Sequence, residues 1–313
     1  MTRRNLIIIH RGPEYTKDFD EIADKVNALD PRITVYHMPP SYRDGLPTGA
    51  WDSPTLTVAL LAKFSFTVRR GPVLMNKAME KLDQQDVFRK NNIPYPPAMP
   101  FRCGMTLDPI LFGDFVLLKP ADLKLTSQDN GTAVFRRKRA EMLTMDSFPP
   151  SHPIRWSAKG FLVQRLVYTG EYPSSHRAAT FLGEVMSLER FQSRRPTPPL
   201  DAPDHEIETA DFAPKSDRDY DFVGDEDILL LARRVAACFP SIPLLGIDIL
   251  RDTKGRLFVI EINAGGNTWH YSSKAWAEHR RTNPEYYVRL RTQFSAFDVV
   301  ARRLCEAVQA QAS

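Results

Sequence analysis

The first 75 residues alternate between short apolar runs and one longer segment with a helical period. Residues 5–10, 33–37 and 56–61 are the apolar runs, and they predict buried strands. Residues 17–29 repeat apolar side chains every three to four positions, which predicts a helix. This order of strands and helix indicates a small open α/β unit. It contains no GxGxxG sequence, so nothing marks it as a dinucleotide-binding unit.

After residue 75 the chain mixes helical and strand periods. A helix is predicted from Asn76 onward, and the prolines of NNIPYPP end it because proline lacks a backbone donor and restricts the residue before it. Strands are predicted at residues 115–120, 161–167, 178–182 and 185–188, and a hairpin with its turn at 129–131 is predicted between the first two.

The C-terminal third begins with a polar, proline-rich stretch, residues 194–221, which has no apolar period and predicts a long mobile loop. Residues 225–238 have a helical period. Residues 244–250 and 257–262 are apolar runs on either side of a tight turn, which is typical of a β-hairpin. Helices are expected in the remainder.

Composition narrows the class of protein. The 313 residues include 42% hydrophobic ones, enough for a sizeable core, and the net charge of +4 does not favour nucleic acid as a partner. The three cysteines, Cys103, Cys238 and Cys305, lie far apart and form no metal or redox spacing. No apolar stretch approaches the length of a membrane span. These features predict a soluble cytoplasmic protein with no membrane partner.

The hairpin at residues 244–262 carries the most informative polar residues. Asp248 lies on its first strand, and Glu261 and Asn263 follow on the second. Glu261 and Asn263 are two positions apart and therefore share a face. Two carboxylates and an amide oxygen are ligands suited to Mg²⁺ or Mn²⁺. Because both carboxylates lie in apolar runs, we expect a metal site rather than ordinary cross-strand polar pairs.

Other polar residues are candidates for contacts with an anion. Lys119 ends an apolar strand, where its charge needs a phosphate or a carboxylate as partner. Lys77, like Lys81, is equally consistent with an exposed helix face. Arg177 and Arg190 bracket a strand pair and are candidates for a phosphate clamp.

These segments, taken in order, resemble the ATP-grasp superfamily. The matching stretches are NKAMEKLDQQDVFRKNNIPYPP, VLLKPAD, FLVQRLVYTGE, HRAATFLGEVMSLER, GIDIL and FVIEINAGGN. The resemblance runs from about Asn76 to Asn267 and is greatest to the branch with D-alanine–D-alanine ligase, glutathione synthetase and the ribosomal-protein glutamate ligases. Its Asp…Glu-x-Asn hairpin is the most specific part.

The resemblance implies an α/β (α+β) protein in which two α+β subdomains grip ATP. The ATP-grasp domain would occupy residues 76–313, divided near residue 167 into a small ATP-binding subdomain and a metal-binding and substrate subdomain. Residues 1–75 would be the preceding open α/β domain.

The resemblance also implies roles for individual residues. Lys77 and Lys119 would contact ATP phosphates, Gln164, Arg165 and Val167 would lie beside the adenine, and Glu171 would bind the ribose. Arg177 and Arg190 would lie near the phosphates or an acyl phosphate, and Asp248, Glu261 and Asn263 would hold Mg²⁺ or Mn²⁺.

The implied activity is ATP-dependent ligation of a small-molecule or peptide carboxylate to an amine or thiol, through an acyl phosphate. Two alternatives stay open at this point. One is a kinase with the same nucleotide site, and the other is a nucleotide-binding module without ligase activity.

Overall fold

The structure is a computed structural model that describes residues 3–40, 46–65, 67–121, 131–213, 217–265 and 268–313. Three β-sheets and nine α-helices are found in this part of the chain. The helices are α1 (Thr16–Leu29), α2 (Lys81–Lys90), α3 (Pro109–Phe112), α4 (Arg137–Glu141), α5 (Asp204–Thr209), α6 (Glu226–Ala237), α7 (Ala277–Thr282), α8 (Pro284–Thr292) and α9 (Ala296–Gln311). None of these described helices combines the length and the apolar character needed to cross a bilayer.

The first sheet is parallel and lies at the N-terminus, as predicted. Its strands are β1 (Arg4–Ile9), β2 (Ile33–Met38), β3 (Thr55–Ala59) and β4 (Val73–Met75), in the order β2-β1-β3-β4. Helix α1 covers one face, and α9 packs against α1 within the same apolar core. The C-terminal helix α9 therefore belongs to the apolar core of the N-terminal sheet. The domain boundary at residue 75 stays a prediction.

The second sheet is antiparallel. Its strands are β5 (Ala98–Pro100), β6 (Phe115–Pro120), β7 (Ala133–Arg136) and β8 (Phe161–Arg165), in the order β5-β8-β6-β7. Strands β6 and β8 lie where apolar runs predict them. Strand β7 pairs with β6, while the predicted turn at 129–131 falls mostly outside the described residues.

The third sheet is antiparallel and has five strands. They are β9 (Ser174–Phe181), β10 (Glu184–Ser193), β11 (Arg218–Phe222), β12 (Leu244–Arg251) and β13 (Leu257–Ala264), in the order β11-β10-β9-β12-β13. Helix α6 covers one face through buried leucine, isoleucine and valine side chains. The register shifts by one residue in two strand pairs, β9–β10 near Met186 and β12–β13 near Ile260. These bulges decide which polar side chains share the opposite face.

Two elements differ from the prediction. Helix α2 begins at Lys81 rather than at Asn76, so Lys77 precedes the helix. Residues 194–221 are not one long loop, because they contain α5 and most of β11. Ile207 of α5 is buried against Val134 of β7, which docks the segment on the second sheet. The sequence of this segment shows no apolar period because only a few of its residues are buried.

Candidate functional site

A cavity of about 650 Å³ lies between the second and third sheets. The second sheet contributes side chains from β6 and β8, and all five strands of the third sheet contribute side chains as well. Nine of the eleven residues predicted for the site line this cavity: Lys77, Lys119, Gln164, Arg165, Val167, Arg177, Asp248, Glu261 and Asn263. The fold thus brings together positions that lie far apart in the sequence.

The acidic end of the cavity is a cross-strand row on the third sheet. Asp248 of β12 pairs directly with Glu261 of β13 and, on its other side, with Arg177 of β9. Arg177 donates from Nε to Oδ1 of Asp248 at 2.7 Å and from Nη2 to Oδ2 at 2.8 Å. The carboxylate of Asp248 accounts for the raised pKa of Arg177, despite burial. The side-chain nitrogen of Asn263 donates to Oδ2 of Asp248 at 3.0 Å and to Oε1 of Glu261 at 3.4 Å.

The donor set of this row fits a divalent cation. Two like-charged carboxylates directly opposite each other destabilise a sheet unless a cation lies nearby, and Arg177 neutralises only one of them. No cluster of three or more His, Cys, Asp or Glu side chains suited to a metal occurs in the described ranges. The third predicted ligand is Asn263, whose side-chain nitrogen donates to both carboxylates in this structure, and a flip of the amide would direct its oxygen to a metal instead.

The basic part of the cavity contains two buried lysines, one of which the sequence reading did not single out. Lys119 ends β6 and is 8% exposed, and Lys81 begins α2 and is 6% exposed. Burial, followed by repulsion from Lys81, lowers the pKa of Lys119 to about 8, although Glu261 acts in the opposite direction. Two buried ammonium groups this close favour an anion between or beside them.

Helical spacing could have identified Lys81. The buried side chains of α2 include Lys81, Gln84, Gln85 and Phe88, which follow an i, i+3, i+4, i+7 pattern. Lys81 therefore belongs to the inward face of the helix. Lys77 is exposed and lies at the rim of the cavity.

The segment at residues 164–167 forms the wall opposite the third sheet. Gln164 is 2% exposed, and its side-chain amide donates to the Pro96 carbonyl at 3.3 Å. The side chains of Leu117 and Leu166 add apolar surface to the same wall. This wall is suited to a flat ligand that is apolar on its faces and polar at its edge.

Two predicted site residues lie elsewhere. The register shift near Met186 pairs Arg190 with His176, so Arg190 faces away from Arg177, and its side chain donates to Gln192 at 2.7 Å. Without the shift, Arg190 would oppose Ser175 and share the face of Arg177. The expected clamp by both arginines is therefore wrong for this structure. Glu171 is exposed and outside the cavity lining, between the lining residues Thr169 and Pro173.

Comparison with known proteins agrees with this arrangement at the level of the fold. No protein-family profile matches the sequence, and neither does any curated protein sequence. Solved structures do match. One is the ATP-grasp ligase PsnB, complexed with a phosphomimetic variant of its minimal precursor, Mg and ADP; it is 12% identical, with a TM-score of 0.52, over 98% of this chain and 99% of PsnB.

A second match is the macrocyclase MdnC bound with precursor peptide MdnA from Microcystis aeruginosa. It is 9% identical, with a TM-score of 0.50, over 96% of this chain and 99% of that one. Both likenesses extend over nearly the whole of each chain. The chain has the ATP-grasp fold. The predicted fold is confirmed, while the narrower branch stays a prediction.

Next to Arg177 lies a buried acid, outside the cavity lining, that the sequence did not reveal. Glu189 of β10 pairs across the strands with Arg177 and is 1% exposed. Burial raises the pKa of Glu189 to about 7, although Arg177 and Arg218 pull it down. The Tyr286 hydroxyl donates to Glu189 Oε1, and His270 Nδ1 lies 3.8 Å from Oε2. Strand alternation alone could not reveal Glu189, because the bulge changes the parity of β10.

Proposed function

We propose that this protein is an ATP- and Mg²⁺-dependent ligase that activates a carboxylate as an acyl phosphate for attack by an amine or thiol. The observation that supports this proposal is a single cavity with two buried lysines on one side and the row Arg177–Asp248–Glu261 on the other. Phosphoryl transfer to a carboxylate needs mainly positioning and compensation of negative charge, and these side chains supply both.

The metal ligands in this proposal are Asp248, Glu261 and Asn263. A bound Mg²⁺ neutralises phosphate charge and orients the γ-phosphoryl group. Each carboxylate oxygen has two lone pairs, so Asp248 can hold a metal and Arg177 together. This arrangement keeps the Arg177 guanidinium beside the place where phosphoryl transfer occurs.

The nucleotide contacts follow from the cavity walls. Lys119 and Lys81 hold the phosphates from their buried positions, and Lys77, which also lines the cavity, is a further phosphate contact. Gln164, Arg165 and Val167 line the cavity, and we place the adenine beside them. No role is proposed for Glu171 or Arg190, because neither lines the cavity.

The reaction has two steps. A carboxylate oxygen of the substrate attacks the γ-phosphorus of ATP, the bond to the β-phosphate oxygen breaks, and ADP leaves. The amine or thiol then attacks the acyl carbon, inorganic phosphate leaves, and the proton of the nucleophile is released. Arg177 donates hydrogen bonds to the acyl phosphate oxygens as negative charge moves onto them.

Acidic peptides are candidates for the substrate that supplies the carboxylate. PsnB and MdnC are described in complex with precursor peptides. Peptides with acidic side chains therefore belong beside amino acids and small acids in a screen for substrates.

The test is ADP release with ATP, Mg²⁺ and a panel of acids, with hydroxylamine as the nucleophile. A ligase forms ADP and an acyl hydroxamate in equal amounts, and EDTA or Glu261→Gln abolishes both. ADP formed with an alcohol, without hydroxamate, would identify a kinase. ATP binding without ADP from any acid or alcohol would leave only a nucleotide-binding module.

A further inference from the structure

A second arginine, Arg218, lines the cavity together with an aromatic ring. Arg218 of the edge strand β11 pairs with Ser193 of β10 and projects onto the same face as Arg177 and Glu189. Its guanidinium lies over the Phe191 ring, 4.4 Å from the ring centroid, and 5.3 Å from that of Tyr220. Both Arg218 and Phe191 line the cavity.

The charge of Arg218 acts on the buried Glu189, but no carboxylate among the described residues forms a salt bridge with Arg218. Among the described residues, none of the salt bridges includes Arg218, and its one hydrogen bond goes from Nε to the Tyr220 hydroxyl at 3.4 Å. Arg177, by contrast, donates to Asp248 from both Nε and Nη2. A guanidinium that contacts two aromatic rings at a cavity wall is held in place and keeps N–H groups available for a ligand.

The two arginines are too far apart to bind the same small group. Phe191, which Arg218 covers, pairs with Ser175, two residues along β9 from Arg177. Asp248, which Arg177 holds, lies one strand beyond β9. With about 3.3 Å per residue and about 4.8 Å per strand, the two guanidinium positions are roughly 12 Å apart. An extended chain covers that distance in roughly three to four residues.

The wall between them suits a peptide-like ligand. The Ser175 hydroxyl lines the cavity and makes no hydrogen bond to any residue within the described ranges. Trp276 adds an aromatic surface on the same side. Such a wall offers hydrogen bonds to amides as well as apolar contact.

We propose that Arg218, with Phe191 and Ser175, forms a second anion subsite that binds a carboxylate of an elongated, peptide-like substrate, roughly 12 Å from the carboxylate that reacts. The subsite rests on the proposed function, since the reacting group is placed at Arg177. It makes Arg218 a specificity-determining residue: a substrate with two acidic groups at the right spacing is preferred over one with a single acid.

The test uses acetylated, amidated peptides with two glutamates separated by no, one, two or three alanines. Matched peptides carry glutamine in place of either glutamate. Binding is measured by calorimetry with a non-hydrolysable ATP analogue and Mg²⁺, so that it does not depend on turnover. Affinity should peak at one intermediate spacing, and loss of the second carboxylate should weaken binding roughly 10- to 100-fold, as expected for a charge-assisted hydrogen bond.

Arg218→Met keeps the aliphatic contact with Phe191 but should remove the difference between the two-glutamate and one-glutamate peptides, while Arg218→Lys should restore part of it. Arg289→Met is the matched control, since Arg289 also lies over a ring, that of Phe222 at 5.0 Å, but outside the cavity lining. An equal preference for two acids in Arg218→Met, or no dependence on the second carboxylate in the unaltered protein, would overturn the proposal.

The same peptides separate this proposal from the proposed function. Charge-dependent binding through Arg218 without ADP or hydroxamate would support the subsite and contradict the ligase. Hydroxamate formed equally well from one-glutamate and two-glutamate peptides would support the ligase and contradict the subsite.

Discussion

Asp248 of β12 and Glu261 of β13 face each other because β13 carries one extra residue, Ile260, just before Glu261. From Arg251 to Ile249 the strands pair in one register, and beyond Ile260 the register shifts by one. Without this bulge Glu261 would oppose Ile247 and project to the face covered by α6. The bulge therefore creates the pair of carboxylates that we propose as metal ligands.

Replacing each carboxylate by an amide should change the free energy of unfolding differently at Glu261 and at Asp248. Glu261 makes no salt bridge within the described ranges, so Glu261→Gln in EDTA should leave stability unchanged or raise it by up to about 1 kcal/mol. Asp248→Asn leaves the Arg177 charge unpaired and should cost roughly 1–3 kcal/mol, because the pair is only partly exposed. Urea unfolding of both variants without metal measures the difference.

Both variants should lose Mg²⁺-dependent nucleotide binding. A large loss of stability in Glu261→Gln, with Mg²⁺ dependence intact, would show that Glu261 is a structural partner rather than a ligand. Comparable stability of the two variants would contradict the assigned role of Arg177.

Binding of ATP should make the protein take up a proton at alkaline pH. The pKa of Lys119 is lowered to about 8 by burial and by Lys81, so near pH 9 its amine is mostly neutral without a ligand. Phosphate oxygens favour the ammonium form and raise this pKa. Calorimetry in buffers of different ionisation enthalpy should show uptake approaching one proton at pH 9 and almost none at pH 6.5.

Lys119→Gln should abolish that uptake and weaken ATP binding by roughly 1.5–3 kcal/mol. Lys81→Met should reduce the uptake, because it removes the second cause of the lowered pKa. Lys138→Gln, at an exposed position, is the control. Uptake unchanged in Lys119→Gln would exclude Lys119 as the titrating group.

The sequence predicted most of the strands and the metal hairpin because apolar runs determine which segments are buried. It could not predict the side to which Arg190 or Glu261 projects, since one extra residue in a strand reverses that side without leaving a pattern. It also missed Lys81, although the inward stripe of α2 contains it, because lysine is normally read as exposed. Arg218 lies in a stretch interpreted as loop, and only the pairing of β11 places it in the cavity.

Glu189 should give the protein a characteristic dependence of stability on pH. Its pKa is raised to about 7 in the folded state by burial, so the folded protein binds this proton more tightly than the unfolded chain does. The associated stability is fully present below about pH 4.5 and is lost as the pH rises through 7. Glu189→Gln removes this loss. The difference in unfolding free energy between the variant and the unaltered protein should therefore increase by roughly 2–3 kcal/mol from pH 5 to pH 8.

The difference between the two proteins is the informative quantity, because buried histidines act in the opposite direction. Burial lowers the pKa of His10 and His176 to about 4 and that of His270 to about 3, so their contribution is lost as the pH falls below 6.5. His10 and His176 contribute equally to both proteins, and His270, which lies 3.8 Å from Glu189, is almost entirely neutral between pH 5 and pH 8. A difference in unfolding free energy that stays constant from pH 5 to pH 8 would contradict the shifted pKa of Glu189.

The docking of residues 194–213 on the second sheet should control both proteolysis and nucleotide binding. Ile207 is 1% exposed and packs with Val134 and Ala202, while Leu117, Leu166 and Phe212 adjoin the same cluster and also line the cavity. Ion pairs from Arg136 to Asp204 and from Arg139 to Glu208 hold α5 to β7 and α4. We therefore expect this segment to resist proteases about as well as the core does.

Ile207→Ala should loosen the segment, because removing a buried side chain of this size costs roughly 2–5 kcal/mol where the site cannot collapse. The substitution mainly weakens the local docking of the segment rather than the fold as a whole. Limited proteolysis should therefore cleave within residues 194–213 long before the core. The midpoint of global unfolding should change little. The affinity for ATP should fall as well, since Leu117 and Leu166 lose the cluster that supports them. Leu230→Ala, on the exposed face of α6, is the matched control and should change neither property. Rapid cleavage of the unaltered protein in this segment, equal to that of Ile207→Ala, would show that the segment is not docked in solution and that its contacts do not stabilise the cavity.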